Sequence, residues 1–414
     1  MWRALRIAAV AAMVFARPAA ADTVSDWWEF AYRVTSAAQA TPAGGTPDGQ
    51  RALTRVSLAM FEAVNAIDRR YESYLGFPAG DPSASQDAAA ATAAHRVLLH
   101  HFPAQKAAFD DTYALAMAGI AEGPAREAGR LIGERAAAAA QAAGGIDSAV
   151  VQVPYRPRTR PGEWIGAALP SLQPHWAALR PWAMGSPDAL RPPPPVALAS
   201  ERWARDAEEV RRLGARASTE RTPVQTLIAR YREAPDLSPS LRLAADAPGR
   251  TPVQNARMFA LVQMASDDAT QAMVVAKLHY NYWRPITAIR NAADDGNDGT
   301  AADPAWVPLL ATPNFPEYPC GHCTYAAAIA EVMKTEVGPR PAGGVRVSSQ
   351  SIPNAVVQVL PGWDEWVRQV SDSRMYGGVH YRFSNEAGEE IGRRAARIVL
   401  DKVMRPLPRR SARR

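Results

Sequence analysis

The sequence is poor in cysteine, in lysine and in long apolar runs. Only two of its 414 residues are cysteines, which excludes a disulfide-rich scaffold and a metal site built from several thiolates. Beyond residue 21, no run approaches the roughly 18 consecutive apolar residues that a membrane-spanning helix needs, so we predict no stable membrane insertion. Charged residues make up 21% of the chain and hydrophobic residues 47%, as in ordinary globular proteins.

A net charge of +6 would suit a nucleic-acid partner, but the location of that charge argues against one. Residues 1–21 contain three arginines, residues 405–414 contain five, and neither segment has an acidic residue. Of the 47 basic residues, 39 remain without these segments, against 41 acidic residues. The body of the chain is close to neutral, so we predict no nucleic-acid partner.

The first 21 residues have the pattern of a secretory signal peptide. Arg3 and Arg6 precede a ten-residue apolar run at 7–16, and three alanines at 19–21 provide a small-residue cleavage pattern. The apolar run is too short to cross about 30 Å of hydrocarbon. We predict an exported protein, periplasmic or secreted, in which a disulfide is permitted.

Apolar residues recur at helical spacing through most of the chain, which predicts an all-α fold. The expected helices cover residues 51–68, 83–101, 123–143, 254–283, 321–337, 361–374 and 385–404. No segment of consequence shows the alternation of a strand. We divide the chain into a signal peptide at 1–21, an N-terminal helical region at 22–150, a Pro-rich strap at 151–199, a catalytic helical bundle at 200–404 and a basic tail at 405–414.

Eleven of the 35 prolines lie between residues 154 and 195, where neither a regular helix nor a central strand can form. Three tryptophans, Trp164, Trp176 and Trp182, accompany these prolines. A solvated linker has little use for such large apolar rings. The segment is therefore predicted to pack against the body of the protein as an extended strap.

Three short motifs carry the residues that suggest chemistry. In the first, Lys277 and Arg284 are seven residues apart on the strongest predicted helix, so they lie on one side of it. Two cations placed in this way repel each other unless an anion lies between them. Taken alone, such a pair is more often two solvated surface charges.

The second motif, Pro319-Cys-Gly-His322, lies where a predicted helix begins. The free N–H groups and the positive dipole end of a helix N-terminus bind anions. Gly321 lets a ligand approach the backbone closely, and His322 is placed to act as an acid or a base on it. Taken alone, this motif would more often be a capping turn with a core histidine.

The third motif contains Arg374 and His380, separated by five residues that include Gly377 and Gly378. Because the two glycines interrupt the helix, Arg374 and His380 need not follow helical phase and can converge on one ligand. A guanidinium suits an oxyanion, and a histidine can be a nucleophile or a metal ligand.

Together the motifs read K-x6-R-P, P-x-G-H and S-R-x5-H, and this pattern resembles the signature of vanadium-dependent haloperoxidases and type-2 phosphatidic acid phosphatases. The stretches SLAMFEAVNAIDRRYESY, PGEW…PWAMGSPDALRPPPP and GGVHYRFSNEAG are similar to the bacterial haloperoxidase-like group. The resemblance covers most of the chain after residue 21. It implies a helical bundle of the haloperoxidase and acid phosphatase type, and a homodimer would agree with it because dimers are common among the relatives.

The resemblance also implies a role for each motif residue. His380 matches the histidine that coordinates vanadate, or that is phosphorylated in the phosphatases. The acid–base residue matches His322, and the groups that hold the oxyanion oxygens match Lys277, Arg284, Arg374 and the Gly321 N–H. As a haloperoxidase, the protein would use vanadate as a Lewis-acid cofactor and hydrogen peroxide and a halide as substrates, and Lys277 would also be catalytic by polarising the peroxide. As an exported acid phosphatase, it would hydrolyse a small phosphate ester through a phosphohistidine without that cofactor.

Three positions bear on how closely the chain follows the family. Cys320 replaces the usual serine, which weakens a hydrogen-bond donor to the oxyanion. A free thiol facing peroxide or hypohalite would be oxidised, so we predict a disulfide between Cys320 and Cys323. Val274 stands where halide-oxidising members can carry tryptophan, whereas Phe315 matches an aromatic residue of chloride-oxidising members. These signs conflict, so no halide is predicted.

Two further functions stay open from the sequence. Cys-Gly-His-Cys is also the active-site tetrapeptide of protein disulfide isomerases, although those require a thioredoxin fold with a strand before the motif. The exchange of serine for cysteine leaves open a non-enzymatic exported helical protein with a decayed anion site. Insulin reduction that survives loss of His380 would indicate a disulfide isomerase. A lack of vanadate or phosphate binding would indicate the non-enzymatic protein.

Overall fold

A computed structural model describes residues 22–39, 47–143, 158–166 and 174–408. The predicted signal peptide and most of the predicted basic tail lie outside these residues, as does the beginning of the strap.

Helices dominate the described residues, which confirms the all-α prediction. The helices are α1 Thr23–Gln39, α2 Pro47–Ile67, α3 Gln86–His101, α4 Lys106–Ala118, α5 Pro124–Ala143, α6 Glu201–Leu213, α7 Pro223–Tyr231, α8 Ser238–Ala245, α9 Pro252–Tyr280, α10 Pro285–Arg290, α11 Gly321–Val337, α12 Trp363–Tyr376 and α13 Arg382–Lys402. Each helix expected from apolar spacing is present, with ends that differ from the prediction by at most four residues. In the described part of the chain, no helix is long and apolar enough to cross a membrane.

A small antiparallel sheet was not predicted from the sequence. Its strands are β1 Pro235–Asp236, β2 Val345–Ser349 and β3 Gln358–Leu360, with β2 in the middle. Val345 pairs with Leu360, and Pro235 pairs with Ser349. Alternation is visible in β2, where Val345 and Val347 are buried and Arg346 is exposed, but five residues are too few to separate a strand from a loop.

The chain forms two compact units, and long helices run from one to the other. The first unit comprises the described residues within Met1–Ser148, Leu241–Asp267 and Ile398–Arg414, and the second comprises those within Ala149–Ser240 and Asp268–Arg397. Helix α9 therefore contributes its first half to the first unit and its second half to the second. These units cut across the regions that we divided by composition, since residues 241–267 pack with the N-terminal helices.

The first unit has its own apolar core. Trp28 of α1 stacks on Phe259 of α9, with ring centroids 4.4 Å apart. Thr54 of α2 donates a hydrogen bond to the buried Asp267 carboxylate over 2.6 Å. Burial of such aromatic surface, at about 25 cal/mol per Å² of apolar area, is the main stabilising contribution in a helical unit of this kind.

The second unit holds the Pro-rich strap, and the prediction that the strap packs against the protein is confirmed. Trp164, Trp176 and Trp182 are all buried. The Asp268 carboxylate accepts hydrogen bonds from the backbone N–H groups of Trp182, Ala183 and Met184 at 2.7–3.0 Å. A buried acid thus replaces the helix or strand ladder that the prolines exclude.

Close contact between α11 and α13 fixes the start of α11. A Cβ atom at Gly388 would lie 2.4 Å from the carbonyl oxygen of Cys320, and one at Gly392 would lie 2.2 Å from that of Thr324. Only glycine permits this separation of the two backbones. The Cys320 N–H also donates to the Ser384 carbonyl over 3.1 Å. The beginning of α11, which carries the second motif, is therefore held against α13.

Candidate active site

The three sequence motifs meet inside the second unit. Lys277 lies in the last turn of α9, and Arg284 is the N-cap residue of α10. Cys320 is the N-cap residue of α11, and Arg374 lies in the last turn of α12. His380 follows a turn in which Gly378 has φ +75°, a conformation that a residue with a side chain rarely adopts.

His380 is buried and held through both ring nitrogens. Its Nδ1 lies 2.6 Å from Oε1 of Glu317, and its Nε2 lies 3.2 Å from Nη1 of Arg284. A guanidinium only donates hydrogen bonds, so Nε2 accepts and Nδ1 carries the proton. Burial, and then the charge of Arg284, lowers the pKa of His380 well below its ordinary value. The ring is therefore neutral, with a lone pair on Nε2.

Arg284 is buried and donates mainly to backbone carbonyls. Its Nε donates to the Phe315 carbonyl and its Nη1 to the Val379 carbonyl, each over 2.9 Å. Its Nη2 is buried, with no hydrogen-bond partner among the described residues. Burial lowers the pKa of Arg284 to about 10, so the side chain stays charged at neutral pH.

Arg374 is the least satisfied cation of the site. It is 3% exposed, and within the described part of the chain its Nε and Nη2 have no hydrogen-bond partner. Burial lowers the pKa of Arg374 to about 10, while the charge of Glu233 opposes this shift. A buried guanidinium with two unused donors is costly unless a ligand accepts from them.

Lys277 is fixed against the loop that leads into α11. Its Nζ donates to the carbonyl oxygens of Pro316, over 3.0 Å, and Glu317, over 2.6 Å. Burial, and then the charge of Arg284, lowers the pKa of Lys277 well below its ordinary value. Lys277 and Arg284 also both lie over the ring of Phe315, at 5.3 and 4.8 Å from its centroid. The aromatic face offsets part of the repulsion between the two cations.

The beginning of α11 contributes His322 and the disulfide-bonded Cys320 to the site. Nε2 of His322 lies 3.0 Å from the carbonyl oxygen of Glu233. Loss of hydration, and then the charge of Arg374, lowers the pKa of His322 to about 3. In the structure, Cys320 and Cys323 are joined by a disulfide, with Cα atoms 5.4 Å apart. Cys320 Sγ accepts from the Cys323 N–H over 3.2 Å, which caps the helix.

Both sulfur atoms belong to fully buried residues, which argues against the disulfide isomerase interpretation. Cys320 and Cys323 are each 0% exposed. Thiol–disulfide exchange with a protein requires direct attack by its thiolate on a sulfur. A buried pair at the start of α11, in a helical unit, offers no access for such an attack.

Two acidic residues of the site were missed from the sequence. Glu317 is 0% exposed, and its Oε1 accepts from His380 and from the Tyr381 N–H. Burial raises the pKa of Glu317 to about 7, against the opposing charges of Lys277 and Arg284. Glu233 contributes its carbonyl to His322 and its charge to Arg374. The one sequence signal for Glu317 is a lone acid between two prolines, three residues before the cap of α11.

Val274, where some relatives would carry tryptophan, lies in a buried cluster with Trp176 and Leu179 of the strap and Met273. The structure thus brings a strap tryptophan close to the position that lacks one.

The donor set fits a tetrahedral or trigonal oxyanion. Three buried cations, Lys277, Arg284 and Arg374, lie close enough to His380 for their charges to lower its pKa, and one acid, Glu317, offsets part of the charge of Lys277 and Arg284. The unused donors on Arg284 and Arg374 are those that an anion would satisfy. No group of three or more His, Cys, Asp or Glu residues within the described ranges could hold a simple metal cation.

The chain is similar to known proteins both in sequence and in fold. Residues 257–408 match the family model of the VCPO second helical-bundle domain. The match includes Lys277, Arg284, the α11 motif, Arg374 and His380.

Among curated proteins, the vanadium chloroperoxidase of Curvularia inaequalis is 35% identical over 89 residues. This alignment covers 19% of the present chain and 14% of that protein's length.

Solved structures extend the similarity to nearly the whole chain. A bacterial vanadium-dependent iodoperoxidase has a TM-score of 0.75 at 20% identity, over 94% of this chain and 98% of that one. A bacterial vanadium-dependent chloroperoxidase in its holo form has a TM-score of 0.62 at 18% identity, over 84% and 90%. At such identities the comparison shows a shared fold.

Proposed function

Because the chain belongs to the superfamily of vanadium-dependent haloperoxidases and type-2 phosphatidic acid phosphatases, we propose that it is a vanadate-dependent haloperoxidase. Its substrates would be hydrogen peroxide and a halide. The observation that carries the proposal is the pair of buried guanidinium groups, Arg284 and Arg374, each with N–H donors that lack partners among the described residues, near the unprotonated Nε2 of His380. Preorganised donors of this kind stabilise charge without reorganisation during the reaction.

Each residue has a part that follows from its contacts. His380 would hold the oxyanion through Nε2, since Nδ1 is occupied by Glu317. Arg284 and Arg374 would bind its oxygens through their unused N–H groups, and Lys277 would add charge from the side of Phe315. The first N–H groups of α11 would complete the set.

When bound, vanadate supplies Lewis-acid activation of hydrogen peroxide, so that a halide is oxidised to hypohalous acid while the metal keeps its oxidation state. His322 would accept a proton from hydrogen peroxide and later return it, since the ring is neutral before the substrates bind. An oxyanion near His322 would raise this pKa by opposing the charge of Arg374.

A soluble phosphatase is the second candidate, and the tautomer of His380 favours it. Nε2 is unprotonated and faces the cations, as a nucleophile toward phosphorus must be. In this reaction Nε2 would form the N–P bond while the P–O bond to the alkoxide breaks. A bound phosphate ester would oppose the charge of Arg374 and so allow His322 to be protonated, and the alkoxide would take that proton. Water would then hydrolyse the phosphohistidine while His322 takes a proton back from it.

We also propose export to the periplasm or the medium, on the signal pattern of residues 1–21. A homodimer stays a prediction of the family resemblance.

Halogenation and phosphate-ester hydrolysis, measured side by side, distinguish the two activities. Monochlorodimedone would be offered with vanadate, peroxide and, in turn, iodide, bromide and chloride, and p-nitrophenyl phosphate would be offered without vanadate. We expect vanadate-dependent halogenation that the variant His380→Ala lacks. Hydrolysis without halogenation would overturn the first proposal in favour of the second. Neither activity would favour a non-enzymatic anion-binding protein.

A further inference from the structure

We propose that Glu317 is a positioning residue that holds His380 in the Nδ1–H tautomer and so keeps the lone pair on Nε2 for the oxyanion. The inference rests on the proposed function, because it assigns Glu317 a part in binding vanadate or a phosphoryl group at the same site. Glu317 contacts Nδ1 of His380, and the oxyanion would bind at Nε2 on the other side of the ring, so Glu317 would act through the histidine.

The carboxylate of Glu317 holds two consecutive residues through one oxygen. Oε1 lies 2.6 Å from Nδ1 of His380 and 3.2 Å from the backbone nitrogen of Tyr381. The first contact fixes the orientation of the imidazole ring, and the second fixes the backbone that carries it. A carboxylate accepts from both donors at once because each oxygen has two lone pairs.

The opposite side of the ring requires the same tautomer. Arg284 presents Nη1 to Nε2 of His380 at 3.2 Å, and a guanidinium has no lone pair to offer. A proton on Nε2 would place two donors against each other, and Nδ1 would then face the carboxylate as a second acceptor. Glu317 and Arg284 thus select one protonation pattern from opposite sides of the ring.

Another site residue anchors Glu317. Nζ of Lys277 donates to the carbonyl oxygens of Pro316 and Glu317, so the backbone of Glu317 is held where its side chain reaches His380. A cation of the site therefore positions the acid, and the acid positions the histidine. The carboxylate also offsets part of the charge of Lys277 and Arg284 before an oxyanion arrives.

Burial argues that the acid has a purpose beyond packing. Glu317 is 0% exposed, and removing a carboxylate from water is costly unless hydrogen bonds and opposite charges compensate for it. An apolar residue would fill the same volume at lower cost. Outer partners of metal-bound histidines fix the tautomer in this way, and their loss typically weakens metal affinity or activity by about 10–100-fold.

Two substitutions of Glu317 distinguish the effect of its hydrogen-bond acceptor from the effect of its negative charge. In Glu317→Gln the amide oxygen can still accept from Nδ1–H, whereas Glu317→Leu removes the acceptor and keeps a similar volume. Asp206→Asn is the matched control, because Asp206 is also 0% exposed and accepts from a nearby backbone N–H, that of Phe383, over 3.0 Å. Folding of each variant would be checked by circular dichroism.

The first readout is the Kd for orthovanadate, measured by calorimetry on the full chain. We expect Glu317→Leu to weaken binding by about 10–100-fold. Glu317→Gln should recover part of that loss, and Asp206→Asn should bind as the wild type does. Equal Kd values for wild type and a folded Glu317→Leu would overturn the positioning role. If the wild type bound neither vanadate nor phosphate, the proposed function would fail, and the next readout would still decide the role of Glu317.

The second readout is the tautomer of His380 in the wild type, which needs no variant at Glu317 to fold. Protein labelled with ¹⁵N in its imidazole rings would be observed without anion, and the His380 signals would be assigned by their loss in His380→Ala. We expect the pattern of a neutral ring with the proton on Nδ1. A proton on Nε2 would overturn the proposal.

Discussion

Nη1 of Arg284 lies 3.2 Å from Nε2 of His380, and both side chains are buried. In the structure, the arginine donates to the nitrogen on which the proposed oxyanion would bind. The same Nη1 also donates to the Val379 carbonyl, so it keeps one hydrogen bond when its bond to Nε2 of His380 is broken. An incoming oxyanion would therefore take over the donor of Arg284 as it binds to Nε2.

Replacing Arg374 should make the protein more stable but unable to bind the anion. Two buried N–H groups of Arg374 lack partners among the described residues, and an unsatisfied buried group costs about 1–3 kcal/mol. We expect Arg374→Met to raise the free energy of unfolding of the anion-free protein by this amount and to abolish stabilisation by vanadate. In the wild type, vanadate at about 100 times Kd should add roughly 2.7 kcal/mol. Thermal unfolding with and without vanadate measures both effects.

The control for Arg374 is Arg382→Met, which removes an arginine paired with Glu209 at 2.6 and 2.9 Å. A partly exposed ion pair contributes about 0–1 kcal/mol, so this variant should be slightly less stable and should keep its response to vanadate. An Arg374→Met protein that is destabilised yet still stabilised by vanadate would contradict the assignment of Arg374.

The pH dependence of stability should report the neutral state of His322. Its pKa is about 3 in the folded protein against 6.5 ordinarily, because of burial and the charge of Arg374. Between these values the unfolded chain binds more protons, so stability falls as the pH is lowered from about 6.5 toward 3, by at most about 1.4 kcal/mol per pH unit for one histidine. His322→Gln should flatten this decline in urea unfolding measured across the window. The exposed His279, changed to Gln, serves as control, and equal slopes for the two variants would refute the prediction.

Adding a methyl group at Gly388 of α13 should disturb the site by displacing the start of α11. A Cβ atom there would lie 2.4 Å from the Cys320 carbonyl oxygen and 3.0 Å from Oγ1 of Thr324. We expect Gly388→Ala to separate α13 from α11, to lower stability by about 1–3 kcal/mol and to weaken vanadate binding because the start of α11 moves. Gly185→Ala is the control, since its added carbon meets nothing within 4 Å. Unchanged binding in Gly388→Ala would show that the start of α11 is not part of the oxyanion site.

The state of the two cysteines can be read by counting thiols. Cys320 and Cys323 are bonded in the structure and fully buried. Protein denatured without reductant should therefore show no free thiol, and protein denatured with reductant should show two. Two free thiols before reduction would contradict the disulfide and would leave Cys320 open to oxidation by peroxide.

The helices and the cationic residues of the site were predictable from the sequence because both have local signals. Apolar residues at helical spacing located α9 and α13, and glycines marked the turn between Arg374 and His380. Motif spacing identified Lys277 and Arg284, and the structure brings both beside His380. The burial of the strap tryptophans was predictable because large apolar rings in a Pro-rich segment indicate a packed strap rather than a solvated linker.

Glu317 and Glu233 were not predictable in the same way, because their importance comes from contacts across the fold. Glu317 reaches His380, which is 63 residues further along the chain, and the Glu233 carbonyl reaches His322, 89 residues away. Neither acid belongs to a repeating pattern or to a pair with a recognisable spacing. The three-stranded sheet was missed for a related reason, since strands of two to five residues are defined by their partners rather than by their own sequence.

Titration of the metal-free protein with orthovanadate, followed by calorimetry, tests the central claim most directly. The wild type should bind one vanadate per chain. His380→Ala should weaken binding by more than the roughly 10–100-fold that loss of an outer partner costs. Absence of binding in the wild type, or an equal Kd in His380→Ala, would contradict a vanadate site centred on His380.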